Sequence, residues 1–155
     1  MHATWAKKGH QPLVPVTGAR KSVKIFGCVD ILSGGFNYKM DSVFNAETYL
    51  KFLEQVARRY HRKKIFYIQD NASYHKDGEV WDWFKDHRKW FEVYNLPPYS
   101  PEFNATERLW HHTRITGTHN RYFSSEHELI DTLLCVFKRM QKNPSCILGY
   151  LTPFQ

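Results

Sequence analysis

The sequence predicts an α/β domain built on a mixed sheet. Three observations carry that expectation. An apolar, β-branched run and an alternating run flank Ser33-Gly34-Gly35, which is hairpin chemistry. Two later apolar runs, residues 64–69 and 91–96, each follow a segment whose apolar residues recur at helical spacing. The rest of the chain carries helical patterns, so the order is hairpin, helix, strand, helix, strand, helix, helix.

Each element has its own signal. Residues 1–21 are rich in Gly, Pro and basic side chains and read as irregular, with at most one short strand. Residues 23–31 and 36–43 form the hairpin arms. Asn45 caps a helix to about Tyr60, with Ala46, Tyr49, Leu50, Leu53, Val56, Ala57 and Tyr60 on one face. Residues 64–69 look apolar on both sides, as expected of an interior strand in a covered sheet. Residues 79–90 place Val80, Trp83, Phe84, His87 and Trp90 at helical spacing, and residues 91–96 form a strand ended by Pro97-Pro98. Pro101 and Asn104 suit a turn and a cap for a helix starting near Ala105. Ser125 with Glu128 reads as a capping box for the last helix, to about Gln141, with Leu129, Ile130, Leu133, Val136, Phe137 and Met140 facing the core.

At 155 residues, with 42% hydrophobic and 16% aromatic side chains, the chain is one globular domain and not a disordered segment. No run approaches the roughly 18 apolar residues of a membrane span, and the N-terminus lacks a signal peptide's apolar stretch. Cys28, Cys135 and Cys146 have no metal-type spacing, which suggests reduced thiols and a cytoplasmic location. The net charge of +7 is uneven: residues 51–64 hold six Lys or Arg against one acid. Clustered positive charge suits a polyanion such as nucleic acid, although a solvated basic surface gives the same count.

Two acids stand out. Asp70 ends the apolar run of residues 64–69, and Glu107 opens the helix after the Pro-rich loop of residues 97–104. Mg²⁺ and Mn²⁺ prefer carboxylate oxygens, and two such ions can assist both oxygens of a phosphodiester displacement. Acids from different elements must then meet at the carboxyl edge of the sheet, where α/β folds place ligands. Singly, Asp70 also suits a turn and Glu107 a helix's positive end, so only the pair argues for chemistry.

Asp70-Asn71-Ala72-Ser73-Tyr74-His75, followed by Leu96-Pro97-Pro98-Tyr99-Ser100-Pro101-Glu102-Phe103-Asn104-Ala105-Thr106-Glu107-Arg108-Leu109-Trp110, resembles the catalytic domain of the Tc/mariner-like bacterial insertion-sequence transposases, which are DDE endonucleases. The resemblance extends from Trp5-Ala6-Lys7-Lys8-Gly9-His10-Gln11-Pro12 through Phe26-Gly27-Cys28-Val29 to Gly149-Tyr150-Leu151-Thr152-Pro153-Phe154. It implies an RNase H-like fold and DNA transposition, in which water and then a 3′-hydroxyl attack phosphodiesters without a covalent enzyme intermediate. It implies that Asp70 and Glu107 are the second and third catalytic acids and ligands of a two-ion Mg²⁺ or Mn²⁺ site. Asn71 and His75 match positions beside that site, Asn104 matches the loop that orients the third acid, and Arg108 is a phosphate contact or a surface ion pair. The implied partners are transposon ends and target DNA, with a nucleoid-associated location.

The chain departs from that pattern in three places. The family's first Asp and its central strand lie upstream of the Trp-x-x-x-Gly segment, here already at Trp5, and its helix-turn-helix domain is also absent. Ala105 stands where the family has Pro. Asp30 and Asp41 are poor substitutes, since Asp30 adjoins the hairpin turn. The expectation is therefore an RNase H-like domain, residues 1–155, lacking its first strand, with unpaired inner edges that favour self-association or pairing with an N-terminal transposase fragment. The alternative is an inactive nucleic-acid-binding remnant.

Other constellations are weaker. His111-His112, with His75 and His119, lacks zinc spacing. Trp81, Trp83 and Trp90 suit core packing better than base stacking. Residues 58–64 are either a phosphate-facing patch or cations drawn to a helix C-terminus.

Overall fold

The computed structural model describes residues 8–9 and 22–151. The first strand, β1 (Lys24–Val29), pairs antiparallel with β2 (Phe36–Asp41), Lys24 opposite Asp41 and Val29 opposite Phe36. Asp30 closes the turn: its carboxylate accepts from the backbone N–H groups of Leu32 and Ser33 and from the Ser33 hydroxyl, the last at 2.6 Å. Its role is hairpin chemistry, as its position beside Gly34 suggests.

Helix α1 (Ala46–Arg59) starts with a reciprocal capping box between Asn45 and Thr48. Strand β3 (Ile65–Gln69) follows, then a 3₁₀ turn at Ser73–Lys76, α2 (Gly78–His87) and β4 (Phe91–Asn95), which pairs parallel with β3. A second 3₁₀ turn, Pro101–Phe103, leads into α3 (Ala105–Thr113), which runs on into a π turn at Arg114–Thr118. Helices α4 (Glu126–Lys142) and α5 (Ser145–Leu151) complete the described chain. None of the helices in these residues is long and apolar enough to cross a membrane.

The result is a mixed α/β domain with two apolar clusters. One packs α1 and α2 against inward residues of β1, β3 and β4, with Phe26, Phe52, Leu53, Val80, Phe84 and Phe91 at its centre. The other packs α3, α4 and α5 on the opposite face of the β1–β2 hairpin, around Phe36, Leu109, Val136, Phe137 and Ile147. Strand alternation sends Phe26 to the first cluster and Ile25 to the second, so the hairpin is covered on both sides.

Several expectations need correction. Strand β3 is not covered on both faces: Phe66 and Ile68 are 61% and 56% exposed, because α3, α4 and α5 pack on the hairpin instead. Helix α2 ends at His87, and Trp90 lies in the following turn. The α4 capping box is split, since Ser125 accepts from Glu128 N while the Glu128 carboxylate takes Ser124 N and Oγ. Helix α4 is not the last; α5 follows after Pro144 and buries Ile147 and Leu151. Among the described residues each sheet has two strands, β1 with β2 and β3 with β4. The short strand expected in residues 1–21, the Trp5–Pro12 segment apart from Lys8 and Gly9, and the tail from Thr152 onward lie outside the described residues.

Candidate active site

Parallel pairing brings the carboxyl ends of β3 and β4 side by side, with Gln69 opposite Asn95. Gln69 is the last residue of β3 and is almost fully buried. Its side chain accepts from the Tyr49 hydroxyl at 2.5 Å and donates to Asn95 Oδ1 at 2.8 Å. Just beyond, Leu96 N donates to Gln69 O at 2.8 Å and Asn71 Nδ2 donates to Leu96 O at 2.6 Å. The two strand ends are thus stitched on both sides of Asp70, which leaves that backbone little freedom.

Asp70 turns outward at this edge, with its side chain 55% exposed. Oδ1 accepts from Ala72 N at 3.1 Å, the Asx turn that Asp and Asn favour after a strand. His75, from the 3₁₀ turn, is buried against Tyr49 and Tyr74, its ring centroid 4.4 and 4.5 Å from theirs. Its Nδ1 donates to the Asp70 carbonyl at 2.8 Å and lies 3.2 Å from Oδ1. The bond to His75 holds the Asp70 carboxyl below its ordinary range against the opposing effect of partial burial, and Ala72 N adds to the lowering. Asp70 is therefore an anion at neutral pH.

After β4 the chain passes through Tyr99, fully exposed at φ 58°, and the Pro101–Phe103 turn. Asn104 caps α3, accepting from Thr106 N at 3.0 Å. Glu107 sits in the first turn, its backbone N–H donating to Asn104 O at 3.0 Å, and its exposed carboxylate has no hydrogen-bond or ion-pair partner among the described residues. Arg108 is exposed and has no ion pair among the same residues, which removes the surface ion pair as its explanation there. Three residues beyond Glu107, Trp110 packs closely against β1 at Gly27, where an added Cβ would come 2.6 Å from the ring. Leu109 is buried beside it, so α3 is fixed to the hairpin through the turn that follows Glu107.

The structure brings His75 against Asp70, ties Asn71 to the Leu96 carbonyl across the strand ends, and sets Asn104 as the cap of the turn carrying Glu107. Among the described residues no group of three or more His, Cys, Asp or Glu is placed to hold a metal ion. Asp70 and Glu107 each present an exposed carboxylate, the kind of oxygen ligand that Mg²⁺ and Mn²⁺ prefer. His111 and His112 diverge as adjacent helical residues must; His112 is tucked against Tyr150, its Nδ1 buried with no hydrogen-bond partner among the described residues and its pKa lowered by burial. Trp81, Trp83 and Trp90 pack against the first apolar cluster, as expected of core residues. Sequence reasoning missed Gln69, Tyr49 and Gly27. A glycine inside a β-branched run was the available signal for Gly27, since it marks close approach of another element; Gln69 had none beyond its place before Asp70.

The comparisons agree with this architecture. The chain is 30% identical over 129 residues to the insertion element IS630 uncharacterized 39 kDa protein of Shigella sonnei, covering 83% of this chain and 37% of that protein. It is 28% identical over 95 residues to the transposable element Tcb2 transposase of Caenorhabditis briggsae, covering 59% of this chain and 34% of that one. The chain thus spans about a third of the length of these curated relatives. Its fold matches a chain of the Mos1 strand transfer complex with a TM-score of 0.70 at 19% identity, over 97% of this chain and 46% of that one. A Mos1 transposase paired-end complex gives 0.63 at 14% identity, over 97% and 50%. Residues 1–130 match the family described as DDE superfamily endonuclease, and the chain belongs to that family.

Proposed function

We propose that this chain is the greater part of an RNase H-like transposase catalytic domain, in which Asp70 and Glu107 are two of three carboxylates that hold Mg²⁺ or Mn²⁺ during DNA strand cleavage and transfer. The observation that carries this is the outward, ionised Asp70 at a doubly stitched strand edge, followed in the chain by a capped helix presenting Glu107. Bound divalent metal would supply Lewis-acid stabilisation of a phosphodiester and lower the pKa of an attacking water. The protein's own part is positional. His75 and Asn71 hold Asp70, Asn104 and Trp110 hold the Glu107 helix, and Arg108 meets a DNA phosphate. The implied partners are transposon ends and target DNA, and the implied place of action is the nucleoid.

A second reading concerns the missing ligand. Residues 1–21 contain no Asp or Glu, Asp30 is committed to its turn, and Asp41 pairs with Lys39. We infer that the third acid comes from a segment beyond these 155 residues, on a strand that joins β1 to β3. Supercoiled plasmid nicking in Mn²⁺ tests both readings. Nicking by this chain alone, lost in Asp70→Ala and in Glu107→Ala, supports a site that needs no outside acid and refutes the second reading. Nicking only after addition of an upstream fragment bearing an Asp strand, and lost in the same variants, supports both. Activity indifferent to both substitutions refutes the metal-site assignment.

A further inference from the structure

The amino ends of β3 and β4 form an edge opposite the one carrying Asp70, and that edge is strongly basic. Parallel pairing sets Ile65 beside Phe91, so the connections preceding them, residues 60–64 and 88–90, run next to each other, and Ile65 N donates to Trp90 O at 2.7 Å. Residues 58–64 hold five Lys or Arg and no acid, and Arg88 and Lys89 join them. Two of these cations are neutralised, Arg58 by Glu54 and Lys64 by Glu92. Arg59, Arg62, Lys63, Arg88 and Lys89 are exposed and have no ion pair among the described residues. Besides Glu54 and Glu92, the acids close by include Asp30, which feels the charge of Lys63, and Asp86.

Helix dipoles do not account for this density. Two helices end here, and a C-terminus attracts cations only within its last turn. That explains Arg58 and Arg59 in α1, and Lys85 and His87 in α2. Arg62, Lys63 and Lys89 lie past the helix ends and Arg88 is the C-cap of α2, so the dipoles account for only part of this charge, and Asp30 offsets only Lys63 in part.

We propose that this edge is a second phosphate-backbone site for duplex DNA, separate from the carboxylate edge. It rests on the DNA-processing reading above and adds to it a second stretch of duplex. The six residue steps from Lys64 to Asp70 put the edges roughly 20 Å apart at a strand's rise per residue. Between them the open face of β3–β4 carries Phe66, Ile68 and Tyr94, an apolar surface unsuited to a phosphate backbone. A duplex at one edge therefore does not run continuously to the other.

The test is anisotropy with a short labelled duplex in EDTA across a salt series, so that metal binding plays no part. The triple variant Arg62→Gln, Lys63→Gln, Lys89→Gln removes three cations of the edge. Lys138→Gln, Arg139→Gln, Lys142→Gln removes the same charge from α4. Each lost phosphate contact flattens the plot of log affinity against log salt by about 0.9, so the edge triple is expected to flatten it by about 3 and the α4 triple by less than 1. Equal slopes for the two triples, or an edge triple that matches the wild type, overturn the proposal. Binding lost instead in Asp70→Asn, Glu107→Gln would do so while leaving the carboxylate edge as the DNA site. A wild-type chain that ignores the duplex, or that binds phosphatidylserine vesicles through these cations in its place, refutes it too. Circular dichroism of each variant establishes that the exposed substitutions leave the fold intact.

Discussion

Gly27→Ala tests how the Glu107 helix is held. A Cβ at Gly27 falls 2.6 Å from Cη2 and 2.7 Å from Cζ2 of Trp110, whereas ordinary contact begins at 3.4 Å, so the indole must retreat by about 0.8 Å. It has little room. The ring meets Phe36 and Phe137 edge-on, each with centroids 6.3 Å away, and Phe36 and Phe137 are themselves fully buried. Overpacking of this kind costs about 1–3 kcal/mol. Chemical denaturation should show a loss in that range, and Gly27→Ala with Trp110→Phe should recover part of it, because the smaller ring gives back the space the methyl takes. The coupling between the two changes should therefore be favourable and at least about 0.5 kcal/mol, as for residues in contact. A displacement near 1 Å also matters for chemistry, where misplacement of that size costs roughly 10²-fold in rate. If Gly27→Ala leaves stability within about 0.5 kcal/mol of wild type, with no coupling to Trp110, the claim that this contact anchors α3 is wrong.

Three further outcomes follow from the same geometry. His75→Phe keeps the aromatic packing but removes the donor to Asp70, so the Asp70 carboxyl should titrate at higher pH when followed by carbon NMR. The sign is fixed: a depressed carboxyl stabilises the fold above its unfolded pKa and loses that contribution as pH falls through the folded value, so the part of the His75→Phe penalty that comes from this bond should vanish on acidification. Asn45→Ala breaks the α1 capping box and should cost about 1 kcal/mol in a thermal or denaturant melt. Ile68→Thr, on the open face of β3, should change stability by less than about 0.5 kcal/mol, whereas a strand covered on that face would lose far more.

The elements that could be read from sequence are those whose signals are local. Asn45, Asn104 and the Gly34 turn each satisfy backbone groups within a few residues, and all three act as their chemistry suggests. The amphipathic faces of α1 and α4 were legible for the same reason, although Phe52 and Thr48 are buried on α1 without having been expected there. Coverage of β3 was not legible. A run such as Ile65-Phe66-Tyr67-Ile68 says that apolar residues stand on both faces, but whether a helix lies over each face is decided by distant packing, here by α3 and α4 choosing the hairpin. At the proposed site, Asp70, Glu107, Asn71, His75 and Asn104 stand out in the sequence because motif and chemistry coincide there. The Gln69 clamp and the Gly27–Trp110 contact depend on partners 20 or more residues away; a glycine inside a strand hints that something approaches closely but not what, and Gln69 had no local signature.

The two acids are held by different parts of the fold. Asp70 belongs to the β3–β4 sheet and is fixed within it by Gln69, Asn71 and His75. Glu107 belongs to α3, which is fixed to the β1–β2 hairpin through Trp110 and Leu109. No strand hydrogen bonds join the two sheets among the described residues, so their spacing is set mainly by side chains. Helix α1 makes much of that connection: Gln55 donates to Tyr38 O on the hairpin at 2.9 Å, and Tyr49 donates to Gln69 on the other sheet. Phe26 adds the aromatic contacts, stacked with Phe52 and edge-on to Tyr74. Side-chain packing alone is softer than a hydrogen-bonded ladder, so the carboxylate separation is the least constrained dimension of the proposed site. A strand paired to both β1 and β3 would fix that separation and could bring a third carboxylate on its own backbone. Completion of the sheet and completion of the metal site would then be one event, and a fragment that restores nicking should also raise the melting temperature of this chain.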